Sequence, residues 1–244
     1  GAQAIAAMAY GTESVRKVDV IVGPGNVYVA QAKQQVAGAV GVPSAFAGPS
    51  EVVVVADGTS PAEFTATDLV AQTEHGPDGM SWLVTWDEAV ADAVDAALDG
   101  VLKNAPRGTE IAGTLASSGR CVLVDDEQQA LAVVDAISPE HLQLMVDAPE
   151  NLAERVRNAG AVFLGPWTPT SIGDYVAGPS HVLPTAGTAR FAGALTVADF
   201  TKDVNLVTAD PDALRRLGPH VEALAVAEGL EAHAESIRVR RQHG

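Results

Sequence analysis

Glu140 and His141 stand side by side in Ser138-Pro139-Glu140-His141-Leu142-Gln143-Leu144. Small changes of environment bring a carboxyl or an imidazole into the neutral pH range, so this pair could act as general acid and base. Neighbours on a strand point to opposite faces, and neighbours on a helix sit about 100° apart. Serving one pocket together therefore requires a turn or an element's end. Pro139 favours such a place, because it disfavours the helical region for Ser138 and is tolerated in a helix's first turn. The alternative is a plain helix start, with Ser138 as N-cap and Glu140 in the first turn.

Other candidates lie at turns and helix ends. Gln72 and His75 are three apart near the end of a helix-like segment, a spacing that puts both on one face. They could hold a metal, although a carboxamide is a poorer zinc ligand than Cys, His or Asp. The alternative for His75 is a favourable contact with the helix C-terminal dipole. Asp174 lies in Gly173-Asp174-Tyr175, where a glycine allows close backbone approach, or where the aspartate simply shapes a turn. His181 follows Gly178-Pro179-Ser180. Glu228 and His233 are five apart, about 140° on an ideal helix, so joint action needs a break near Gly229. Cys121, the single cysteine, opens the apolar run Cys121 to Val124 and is expected to be buried packing in a strand.

These residues hang on alternating elements. Gly1 to Tyr10 reads as a helix closing at Gly11. Val18 to Val22 reads as a short strand, followed by Gly23-Pro24-Gly25-Asn26 and a helix from about Val27 to Ala39. Such a turn can place backbone N–H groups near an anion, although it is not the G-x-G-x-x-G fingerprint. Strands are expected at Val52 to Val55, Ser81 to Thr85, Cys121 to Val124 and Ala161 to Leu164. Helices are expected at Pro61 to Glu74, stopped by Gly76-Pro77, and at Asp87 to Leu98, Glu127 to Ile137 and Asn151 to Asn158. The alternation predicts an α/β fold built on a parallel sheet, with sites at the carboxyl ends of strands. From Gly165 to Gly193 the chain is rich in Gly, Pro, Ser and Thr, the texture of a functional loop. Pro211 to Ser236 reads as one or two helices.

Composition narrows the classes. The chain has 244 residues, 47% hydrophobic and 19% charged, with a formal net charge of −16. That charge argues against nucleic acid and against anionic membranes as partners. The longest apolar runs are far short of a membrane span. One cysteine excludes an intramolecular disulfide framework and fits a reducing, cytoplasmic setting. The start at Gly1-Ala2-Gln3-Ala4 reads like a cut through a longer protein.

Taken together, the blocks resemble the histidinol dehydrogenase family. The resemblance rests on Gly1-Ala2-Gln3-Ala4, Gly11-Thr12-Glu13, Gly23-Pro24-Gly25-Asn26 and Ala47-Gly48-Pro49-Ser50-Glu51. It continues through Asp68-Leu69 with Gln72, Glu74, His75, Gly76 and Pro77, then Ser138 to Leu142 and Gly165. Gly173-Asp174-Tyr175, His181-Val182-Leu183-Pro184-Thr185, and Glu228 with His233 complete it. Ser180 stands where the family often has Asn, and Thr170 where it often has Glu.

The resemblance implies an enzyme of histidine biosynthesis that oxidises L-histidinol to L-histidine through the aldehyde, with NAD and one zinc per subunit. It implies Glu140 and His141 as the acid–base pair and Gln72, His75, Asp174 and His233 as zinc ligands. Ser50, His181 and Glu228 would contact substrate, and Gln3 and Asn26 would contact NAD. It implies a cytoplasmic homodimer with a shared active site, Glu228 and His233 acting on the partner's site. Relative to the family the chain is expected to be incomplete. Residues 1–49 would be a remnant of a nucleotide-binding domain, 50–195 an α/β domain carrying zinc and acid–base residues, and 196–244 a helical tail.

Overall fold

The computed structural model describes residues 1–44, 48–76 and 79–243. Ala47 and Pro77, two of the residues in the sequence blocks above, lie outside them. In chain order the elements are α1 (Ala2–Tyr10), α2 (Val27–Val36), β1 (Glu51–Ala56), α3 (Ala62–Thr73), β2 (Met80–Thr85), α4 (Glu88–Asn104) and α5 (Gly108–Ser118). Then come β3 (Arg120–Leu123), α6 (Glu127–Ile137), β4 (His141–Met145), α7 (Pro149–Ala153), β5 (Ala161–Leu164), α8 (Thr170–Tyr175), α9 (Pro211–Ala227) and α10 (Glu231–His243). None of the described helices is long and apolar enough to cross a membrane.

The five strands form one parallel sheet in the order β3-β2-β1-β4-β5. β1 is the valine-rich centre, buried at every position, as a strand covered on both faces should be. The period of two divides its side chains. Val52, Val54 and Ala56 pack with Ala66 and Leu69 of α3 and Val90 and Val94 of α4. Val53 and Val55 pack on the other face with Ala130, Leu131 and Val134 of α6. The result is the expected α/β architecture, a parallel sheet with helices on both faces. Short polar side chains start the helices: Asp87 accepts from the Ala89 N–H and Asp126 from the Gln129 N–H, which satisfies donors that a helix cannot pair internally.

Four local expectations are corrected. Val18 to Val22 is not a strand of the sheet. Val20 makes an isolated bridge to Gly41, and Ile21 joins Ile5, Ala9, Val36 and Val40 in a separate small cluster. Helix α5 is an addition; Gly108 and Gly113 inside it weaken its propensity, and Ile111 and Thr114 anchor it by burial. β3 is an edge strand pairing only with β2, so Cys121 is exposed and not buried packing. The fourth concerns the Glu140–His141 stretch. Ser138 does not start a helix; it ends α6 in the left-handed region at φ 53°, and its hydroxyl donates to the Asp135 carbonyl. Pro139 and Glu140 then lead directly into β4.

By Cα proximity the chain divides into Gly1–Phe200 and Thr201–Gly244. The second unit holds α9 and α10, with Gly229 at φ 73° between them. Arg238 and Arg241 of α10 both pair with Glu222 of α9.

Candidate active site at the amino edge of the sheet

Because β1 and β4 run parallel with Val52 opposite His141, their first residues share one edge of the sheet. Helix α3 runs back across the face and delivers its C-terminal end, Gln72 to His75, to that same edge. The expectation of a site at the carboxyl ends of the strands is therefore corrected: the chemistry-bearing residues gather at the amino ends. Helix α8 and the segment 181–186 close the edge from the other side. A cavity of about 530 Å³ there is lined by Ser50, His75, Glu140, His141, Asp174 and His181, among others. These are six of the eleven residues expected to carry the function.

The pair at the centre is nearly inaccessible: Glu140 is 7% and His141 3% exposed. His141 Nδ1 lies 3.0 Å from the Glu51 carbonyl oxygen. A carbonyl only accepts, so Nδ1 carries the hydrogen and Nε2 keeps its lone pair in the neutral ring. Nε2 has no hydrogen-bond partner among the described residues and lies 3.5 Å from Asp174 Oδ1, a pair that becomes ionic when the ring is protonated. Phe163 of β5 lies against the ring, with centroids 5.9 Å apart.

Glu140 faces His141 Nδ1 at 3.5 Å, and its Oε2 accepts from the Glu51 N–H at 3.0 Å. Burial pushes the Glu140 carboxyl up to about 7, against the opposing pull of His141 and of that N–H. Burial by itself would lower the His141 imidazole; Asp174, Glu140 and the Glu51 carbonyl outweigh it and raise it. His141 in turn holds the Asp174 carboxyl below its ordinary value, against the opposing effect of burial.

Gln72 sits one turn before His75, 2% exposed, with its amide nitrogen unpartnered among the described residues. His75, beyond the helix end, is exposed. Gln72, His75 and Asp174 thus offer amide, imidazole and carboxylate donors at one edge of the sheet. Zinc accepts such mixed N and O donors, but among the described residues of this one chain no group of three or more His, Cys, Asp and Glu is placed to hold a metal ion, and the unpaired Gln72 Nε2 is a donor that an acceptor atom, not a cation, would satisfy. On the α3 face, burial raises the Asp68 carboxyl and the nearby Gln143 amide partly offsets it.

A second cavity, about 1060 Å³, is lined by Gly25, Asn26, Gly48, Pro49, Ser50, Gly76 and Gly79, with Ser117 and Ser118. Asn26 lies at its rim, and its side chain caps α2 by accepting from Val29 N–H. The glycines and the N-terminus of α2 make a surface that phosphate oxygens can approach closely. Gln3 lies on α1, exposed, and lines neither cavity. Glu228 ends α9 and His233 lies in the first turn of α10, both exposed in the C-terminal unit. The break needed near Gly229 is present.

Sequence reasoning assigned no role to Glu51, Lys33 or Thr185. Lys33 is buried in α2, and its ammonium donates to the carbonyls of Gly23 and Ser44, tying the glycine turn down. Charged residues opening or crossing apolar elements were the available signal for Glu51 and Lys33. Ser180 accepts from the Val182 N–H and so shapes the turn that carries His181.

Comparison with known proteins agrees with the resemblance in the sequence. The family model described as histidinol dehydrogenase matches residues 1–241. Histidinol dehydrogenase of Chlorobium chlorochromatii is 50% identical over 240 residues, covering 98% of this chain and 56% of that protein. The Caulobacter vibrioides enzyme is 50% identical over 244 residues, 100% of this chain and 56% of that protein. The crystal structure of histidinol dehydrogenase from Elizabethkingia anophelis superposes with a TM-score of 0.91 at 37% identity, covering 99% of this chain and 55% of that one. The chain thus spans about half the length of the curated relatives it matches.

Proposed function

The chain belongs to the histidinol dehydrogenase family, and from that premise we propose that it carries the proton-transfer and metal-holding residues of an enzyme oxidising L-histidinol to L-histidine with NAD. The observation that carries this reading is the convergence of Glu140, His141, His75, Asp174, His181 and Ser50 on one cavity. Gln72, His75 and Asp174, with His233 of a second copy, would hold zinc. Zinc, when bound, supplies a Lewis acid that orients the substrate's imidazole and polarises its oxygen. Asn26 and, by the resemblance alone, Gln3 would hold NAD, which would supply the acceptor for one hydride in each oxidation, a second NAD replacing the NADH formed in the first.

The remaining work falls to protons. His141, which lines the cavity and whose Nε2 is unbonded among the described residues, takes the alcohol proton in the first oxidation. In the second, Glu140 removes a proton from water as it adds to the aldehyde carbon; the resulting hydrate anion loses its hydride to give the acid, and Glu140 releases its proton to solvent. A carboxyl near 7 can both hold and release a proton at neutral pH. Ser50 and His181 line the cavity where substrate would lie, and Glu228 of the second copy would face the substrate's amino group. Cys121, on the exposed edge strand, has no part in this chemistry.

The test is NAD reduction by L-histidinol in the complete protein, with bound-metal analysis beside it. Turnover with one zinc per protomer is expected. Ester cleavage with no NAD reduction would point instead to a hydrolase using Glu140 as base.

A further inference from the structure

Glu51 is a buried carboxylate that the proposed chemistry does not use, 3% exposed at the first position of the central strand. Four of its polar contacts lead to the site. The backbone N–H donates to Glu140 Oε2 at 3.0 Å, and the backbone carbonyl accepts from His141 Nδ1 at 3.0 Å. Oε2 of its side chain accepts from the Glu140 N–H at 3.4 Å, and Oε1 accepts from the Ala186 N–H at 2.9 Å. Ala186 holds a positive φ of 55°, which costs a residue with a Cβ about 1 kcal/mol. It ends the segment that carries His181 and Thr185, and Thr185 is itself hydrogen-bonded to the Gly48 N–H three residues before Glu51. An apolar residue here would continue β1 equally well as a strand; the charge is explained by what it holds.

We propose that Glu51 is a positioning residue, clamping the Glu140–His141 pair and the 181–186 segment into one unit. The proposal rests on the reading of Glu140 and His141 as the proton-transfer pair. Glu51 touches neither substrate nor cofactor in it. The reciprocal bonds between residues 51 and 140 fix where the Glu140 carboxyl points, and the carbonyl fixes the ring orientation of His141. The bond to Ala186 sets the distance between that pair and the substrate-side loop. A misplacement of about 1 Å at such a pair costs on the order of 10²-fold in rate.

The tests are Glu51→Gln and Glu51→Ala. Glutamine keeps the volume but has one acceptor oxygen, so one of the two N–H groups of Glu140 and Ala186 must face an NH₂. In Glu51→Gln the kcat for histidinol and for the aldehyde should both fall about 10- to 100-fold with KM changed less than about threefold, since Ser50, His75 and Asp174 are untouched. Amide hydrogen exchange by NMR gives a readout independent of turnover. Exchange at Glu140 and Ala186 should quicken roughly tenfold while Val53 and Val55 stay protected. Parental kcat in Glu51→Gln, or a rise in KM alone, overturns the positioning role. Unchanged exchange at both amides in both variants overturns the clamp. A parent protein that never reduces NAD with histidinol refutes the functional reading, while the exchange result still decides the clamp. If Glu51→Ala does not fold, Glu51→Gln decides alone.

Discussion

At the scale of single residues, the proposed chemistry assigns the adjacent Glu140 and His141 different protons, and their surroundings differ accordingly. His141 has its Nδ1 occupied by the Glu51 carbonyl and its Nε2 3.5 Å from Asp174 Oδ1, with no hydrogen-bond partner among the described residues. Glu140→Gln should therefore spare alcohol oxidation and slow aldehyde oxidation by about 10²–10⁴-fold, the usual worth of a general base. Separate assays with histidinol and histidinal check this, and equal loss in both would contradict the division of roles. The same carboxyl links pH to stability. Its value rises from the ordinary 4.5 to about 7 on folding, mainly through burial. The neutral form is the one the fold accommodates, so its contribution is fully present below about 4.5 and is lost as pH rises through 7. A shift of this size is worth on the order of 3 kcal/mol once pH is well above 7. Thermal unfolding of Glu140→Gln against the parent should show the variant gaining stability between pH 5 and pH 8; a constant difference across that range would contradict the buried, proton-holding carboxyl.

At the scale of elements, the sequence made β1, β2, α3 and α6 plain through valine runs, helical periodicity and capping residues. It misread β4, the strand that carries the site. His141-Leu142-Gln143-Leu144-Met145 has no β-branched residue, and Pro139 suggested a helix start. Yet its alternation was a strand signal: Leu142 and Leu144 join the α6 face, and Met145 joins the α3 face. The site's residues were visible as types, but their edge of the sheet was not, because that depends on which strands pair. Gly173 shows the same limit. Its sequence context suggested close approach to a ligand; the structure shows close approach to Phe163. A Cβ at Gly173 would meet the Phe163 ring at 2.5 Å, and that ring lies against His141. Gly173→Ala should push α8 away from β5, moving Asp174 from His141. Overpacking of this kind costs about 1–3 kcal/mol. A lower melting temperature together with reduced zinc content is the expected outcome; a parental value of both would show that the ring yields without moving α8.

At the scale of the whole molecule, Gly1–Phe200 supplies a cavity edged by His75 and Asp174, with Gln72 one turn away. Gln72, His75 and Asp174 would leave room in a zinc coordination shell for a further protein donor, and the family resemblance offers His233 from the C-terminal unit of a second copy, with Glu228 beside it. Such an arrangement makes neither subunit sufficient alone, and symmetry makes the exchange mutual. Complementation follows. His233→Ala protein lacks the donated ligand, and His141→Ala protein lacks the base, so each homodimer should be inactive. Unfolded together and refolded at equal concentration, the two variants form mixed dimers in which one site has both defects and the other has none. With random pairing, activity should return to roughly a quarter of the parental level. If each subunit instead used its own His233, every site would carry one defect and mixing would restore nothing. The experiment therefore separates a shared site from a self-contained one by whether activity appears in a mixture of two inactive proteins.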